Sequence, residues 1–163
     1  MPDLIIDRWL HVLAGIAWIG LLYYFNFVQA PGVAAAKADG TAGGITKHIA
    51  PRALLWFRWA AVATWVTGAY YLERSGLGLG NAFLLKGAAA PIGIGAWLGT
   101  IMFLNVWLLI WPNQKKVLGI VPADDAAKAK AARVAFLTSR TNTMLSIPMV
   151  FFMVAGPHGL PTF

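Results

Sequence analysis

Four long apolar runs constrain this chain more than any other feature. They lie at about residues 4–29, 53–72, 91–111 and 138–155, and none holds more than two charged residues. At about 1.5 Å per residue, a helix of that length matches the roughly 30 Å of hydrocarbon in a bilayer. Lipid offers no partner to a backbone N–H or C=O, so a spanning segment closes its own hydrogen bonds as a helix or joins a closed barrel. Unbroken apolar runs, rather than alternating ones, select the helix. The expectation is an all-α integral membrane protein, a single domain over residues 1–163 built as a four-helix transmembrane bundle.

The rest of the composition agrees. The chain is 59% hydrophobic and 12% charged, with a mean hydropathy of +0.66, whereas a soluble domain carries about 25% charged residues. Eight Trp and four Tyr suit a protein with two membrane–water boundaries. The opening MPDLIIDR lacks the basic start of a signal peptide, so the first helix is expected to be retained.

Topology follows from Lys and Arg. Lys37, Lys47, Arg52, Lys115, Lys116, Lys128, Lys130, Arg133 and Arg140 lie in or beside the first and third loops, 31–52 and 112–137. Arg8, Arg74 and Lys86 lie at the other end. The positive-inside rule puts the first group in the cytoplasm and both termini on the non-cytoplasmic side. The net charge of +7 then reports topology and contact with the lipid bilayer; with no recognition motif beside it, no nucleic-acid partner is expected. Within the third loop, residues 124–136 read as a short amphipathic helix, with Asp124 and Asp125 at its N-terminus.

Few residues can carry chemistry. The absence of cysteine excludes disulfides, thiolate clusters and covalent haem attachment within these 163 residues. His11 lies inside the first span, with Gly15 and Trp18 on its face at i+4 and i+7. It is either a haem-iron ligand or one partner of an interhelical hydrogen bond. His158, after the fourth span, is a candidate second ligand or a surface residue of a C-terminal tail. His48 lies at the opposite end, as part of a separate site or as an interfacial residue. Arg52, Arg58, Asn105, Arg140 and Asn142 fall by depth in the cytoplasmic half. They are candidates for haem propionates, a quinone head group or a substrate, or for snorkelling and packing. Gly95 and Gly99 form a GxxxG read as close helix packing.

The stretches WLHVLAGIAWIGLLYYFNFVQ, KHIAPRALLWFRWAAVATWVTG, NVWLLIWPNQKK and SRTNTMLSIPMVFFMVAGPH resemble the membrane domain of bacterial urate hydroxylase, the PuuD-like urate oxidase N-terminal domain family. The resemblance runs from about Trp9 to His158. It implies a multi-pass protein of the bacterial inner membrane that carries haem b, with quinone as a further candidate cofactor. Such a protein is an oxidoreductase subunit passing electrons between a reduced substrate or quinone and a cytochrome c. Typical members continue into a cytochrome c domain; without cysteine here, that partner is expected to be a separate cytochrome c or a larger membrane complex. A cofactor-free structural subunit of a membrane complex is the alternative.

Overall fold

The computed structural model describes residues 2–155, and among these every regular element is helical. Helix α1 (Pro2–Tyr23) passes through a π-helical stretch, Tyr24–Gln29, into α2 (Ala30–Ala38). Gly40, in the left-handed region at φ 71°, follows its end. A second π-helical stretch, Ile45–Ile49, leads into α3 (Ala50–Arg74). The short α4 (Leu79–Phe83) and a tight turn at Gly87–Ala89 precede α5 (Ala90–Leu104). The π-helical Asn105–Ile110 joins α5 to α6 (Trp111–Val117), and α7 is Asp125–Ala155.

A proline follows each of the three π-helical stretches, whereas Pro148 sits inside α7 without one. Pro31, Pro51 and Pro112 each stand two residues beyond one of them. A proline inside a helix donates no hydrogen bond, and its ring crowds the carbonyl four residues back. That carbonyl belongs to Phe27, Lys47 and Leu108, each inside the widened stretch. There the N–H groups of Ala30, Ala50 and Trp111 reach back five residues, to the carbonyls of Phe25, Ile45 and Val106. The wider turn re-pairs the backbone without ending the helix. Consequently the first and third apolar helices run past 29 and 111, where the apolar runs stop, to Ala38 and Val117.

Residues 124–136 are not a separate helix. With no Gly or Pro between Asp125 and Ser146, they continue into the 138–155 run as one helix. Asp124 caps it, its Oδ1 accepting the N–H of Ala127 at 2.7 Å.

α1 packs along α3 and α5 along α7, while α1–α7 and α3–α5 touch more sparsely. The main core gathers Trp18, Leu22, Phe57, Ala61, Met102 and Val106, with Phe25 edge-on to Phe57 at 5.5 Å. A second cluster of Leu72, Ala82, Ala89, Ile92 and Ala96 seats α4 against α5. This seat needs Gly93, because a Cβ there would run into the carbonyl oxygen of Ala82. Two continuous helices, Asp3–Ala38 and Gly87–Val117, are long and apolar enough to cross a membrane.

Candidate functional site

Between the α1/α3 and α5/α7 pairs lies a cavity of about 610 Å³. Its walls are almost wholly apolar. α1 contributes His11, Gly15 and Trp18; α3 contributes Thr64 and Gly68; α5 contributes Ala96 and Gly99; α7 contributes Met149 and Met153. Arg8 is the charged side chain on the wall.

The state of His11 is set by α3. Its Nδ1 lies 2.9 Å from the carbonyl oxygen of Thr64 and 3.3 Å from Thr67 Oγ1. A carbonyl only accepts, so Nδ1 carries the hydrogen and donates. The Thr67 hydroxyl already donates to the Ala63 carbonyl at 2.6 Å, which leaves its oxygen free to accept from Nδ1. In the neutral ring Nε2 is then the bare, lone-pair nitrogen. It makes no hydrogen bond among the described residues, and its residue lines the cavity.

Room for the imidazole comes from Gly68. A Cβ at that position would stand 2.8 Å from His11 Cε1 and 3.1 Å from Nδ1. The ring therefore lies directly on the α3 backbone. At Gly15 a Cβ would meet only Thr64 Cγ2, at 3.9 Å, so this glycine widens the cavity rather than enabling a tight helix crossing. Gly95 and Gly99 receive α7 side chains: their missing Cβ positions lie 3.2 Å from Met153 Cγ and 4.0 Å from Met149 Cγ.

Trp18 is 2% exposed and its indole N–H has no partner, although a buried indole donor usually finds one. It too lines the cavity. Asp7 Oδ2, Asn26 Oδ1, Gln29 Oε1 and Trp107 Nε1 are also buried and unpaired, but none of their residues adjoins this space.

The other candidate residues do not form one site. Asn105 and Asn142 do meet, Asn105 Nδ2 donating to Asn142 Oδ1 at 2.8 Å. Asn142 is fully buried and donates in turn to the Met102 carbonyl at 3.0 Å. The pair ties α7 to the start of the Asn105–Ile110 stretch and to α5. The arginines each have a separate local contact. Arg58 lies 3.9 Å over the Trp111 ring, Arg140 lies 4.7 Å over Phe136, and Arg52 donates to the His48 carbonyl at 3.1 Å. None of these five residues lines the cavity. His48 is exposed on the Ile45–Ile49 stretch, away from it. His158 lies outside the described residues. Among the described residues no three His, Asp or Glu side chains converge as a bare metal ion would require.

Thr64, Thr67 and Gly68 are not singled out by the sequence. Their signal is weak but physical, since an isolated glycine inside a helix costs about 1 kcal/mol against alanine and implies a packing reason. The interhelical bonds Tyr23–Ser146 at 3.0 Å and Asn26–Ser139 at 2.8 Å also escape it.

A family model described as urate oxidase N-terminal matches residues 75–161, a little over half of the chain. The chain belongs to the urate oxidase N-terminal family. The family match covers α4 to α7 and therefore the Met149 and Met153 wall; His11 and Gly68 lie before it. No curated protein and no solved structure matches the chain.

Proposed function

We propose that this chain is a haem-b-containing electron-transfer subunit of the bacterial inner membrane, related to the urate hydroxylase membrane domain. It crosses the bilayer four times, as a bundle with both termini on the non-cytoplasmic side. The long α3 and the apolar half of α7 supply the two spans beyond Asp3–Ala38 and Gly87–Val117. Outward-facing Ile5, Ile6, Trp9, Val66, Met144, Ile147 and Phe151 support contact with lipid on all sides.

One observation carries the cofactor reading: His11 on the wall of an apolar cavity has its Nδ1 against a backbone carbonyl, which leaves Nε2 as the lone-pair nitrogen. A metal-bound histidine almost always gives its other N–H to a carbonyl or carboxylate, which fixes its tautomer and orientation. The donor set fits haem rather than a free ion, because haem needs only one or two protein ligands. The cavity fits as well. Gly15 on α1 and Gly99 on α5 leave room for a flat ring. Arg8, rather than Arg52, Arg58 or Arg140, is the cation for the carboxylates of such a group.

When bound, haem supplies one-electron redox chemistry. The chain's own residues do the rest. His11 would hold the iron, Thr64 and Thr67 hold His11, and the apolar wall would exclude water. The electron donor is a reduced substrate or a quinol, and the acceptor is a cytochrome c or a larger membrane complex.

An absorption spectrum of protein purified in detergent, after expression with ample haem, tests this. A Soret band that His11→Ala abolishes or strongly reduces is expected. Full haem occupancy in His11→Ala removes His11 as ligand. Tight co-purification with a larger complex and no haem absorbance favours the structural-subunit alternative.

A further inference from the structure

We infer that the Met153 thioether would be the second protein ligand to the iron of such a group, supplied by the other helix pair from His11. This rests on the haem reading above and adds to it a ligand from the other helix pair.

The register of the helices brings the two residues to one level. Trp65 Nε1 donates to Thr100 Oγ1 at 3.0 Å, which fixes α3 against α5. Gly68, about one turn beyond Trp65, carries the His11 ring. About one turn before Thr100 on the antiparallel α5 are Gly95 and Ala96. At Gly95 the absent Cβ is replaced by Met153, with Cγ at 3.2 Å and Cε at 3.3 Å. His11 and Met153 therefore stand within about a turn of one another in depth, on α1 and α7, and both line the same cavity.

Two methionines line the α7 wall one turn apart, and their surroundings separate them. Met149 is 7% exposed and belongs to the main core with Trp18, Leu22 and Met102. Met153 is only half-buried and packs against the edges of both core clusters. It has an unbranched, polarizable side chain beside open space. Its sulfur is the soft donor that haem proteins pair with histidine. The described stretch of wall carries no second imidazole to compete with it.

Spectroscopy of the purified full chain tests this. Ferric wild type is expected to be low-spin and six-coordinate, with the long-wavelength sulfur-to-iron charge-transfer band of a thioether ligand. Met153→Leu, which conserves volume and so preserves the fold, is expected to lose that band, to become high-spin and to bind carbon monoxide readily when reduced. Met153→His is expected to give a bis-imidazole spectrum, and Met149→Leu to leave the wild-type bands in place. A wild-type spectrum of the bis-imidazole or five-coordinate kind overturns the inference while the haem reading stands. So does loss of the band in Met149→Leu with its retention in Met153→Leu. Absence of any Soret band overturns the haem reading itself and this inference with it.

Discussion

Replacing Gly68 by alanine separates the site from the fold. The added Cβ would stand 2.8 Å from His11 Cε1, and ordinary contact begins near 3.4 Å. The ring must therefore withdraw from α3 by about 0.6 Å or more. Thr64 is one turn away on the same helix, so this withdrawal stretches the 2.9 Å bond from Nδ1 to its carbonyl to the edge of hydrogen-bond range. Losing that bond costs about 0.5–1.5 kcal/mol. Alanine in place of glycine returns about 0.8–1 kcal/mol of helix propensity. Fold stability should therefore change by less than about 1 kcal/mol, while the imidazole loses its anchor and its position. Loss of such an outer-shell partner lowers metal affinity about 10–100-fold. Haem titration of the apoprotein in detergent, followed at the Soret band, measures the affinity, and thermal unfolding by circular dichroism runs beside it. Wild-type haem affinity in a normally folded Gly68→Ala protein would refute the claim that α3 positions His11 for the iron.

Three other outcomes follow from the same structure. Asn142→Leu strands Asn105 Nδ2 and removes the bond from Asn142 to the Met102 carbonyl; at about 0.6 kcal/mol per interhelical bond, with a maximum near 1.7, it should destabilise the chain by about 1–3 kcal/mol in denaturant unfolding without changing haem content. Gly93→Ala drives a methyl into the Ala82 carbonyl and should lower stability by about 1–3 kcal/mol, seen as a reduced Tm; an unchanged Tm would mean that α4 is free to move off α5. Because the chain has no cysteine, Lys86→Cys and Lys130→Cys report topology in spheroplasts: an impermeant maleimide should label the first directly and the second only after lysis, and the reverse pattern overturns the orientation.

The positions of the long helices, and a lone imidazole in an apolar run at His11, are legible in the sequence, because both are local properties. What surrounds His11 is not. Thr64 and Gly68 become its partners only through the rotation of α3 against α1, which packing decides. The same applies to Tyr23 with Ser146 and Asn26 with Ser139, pairs more than a hundred residues apart. Depth counting gathers Arg52, Arg58, Asn105, Arg140 and Asn142 at one end, but depth leaves azimuth open. The two asparagines share a face, and each arginine lies on a different neighbour. Pro31 and Pro112 mark the ends of two apolar runs, yet the backbone passes both by widening one turn. The sequence feature is a proline that follows a stretch able to take the π-helical register, and such a stretch has no composition of its own.

The two halves of the molecule use their polar side chains differently, and that difference bears on function. Below the cavity, Asn105, Asn142, Tyr23, Ser146 and Ser139 are joined to one another or to backbone carbonyls. Such bonds fix the mutual register of α1, α5 and α7. At the cavity, His11 Nε2 makes no hydrogen bond and stands in an apolar wall. An apolar space of this size with an imidazole on its wall suits a bound small molecule or cofactor. A purely structural subunit gains nothing from keeping it open, because filling Gly15 and Gly99 with larger side chains would strengthen packing. That reasoning yields a reverse experiment. Gly15→Leu should fill the cavity, because an added Cβ meets only Thr64 Cγ2 at 3.9 Å and the space beyond is open. If the cavity is a cofactor site, the variant should melt at the wild-type apoprotein temperature or above and retain little haem. Full haem retention in a stably folded Gly15→Leu chain would place the cofactor elsewhere.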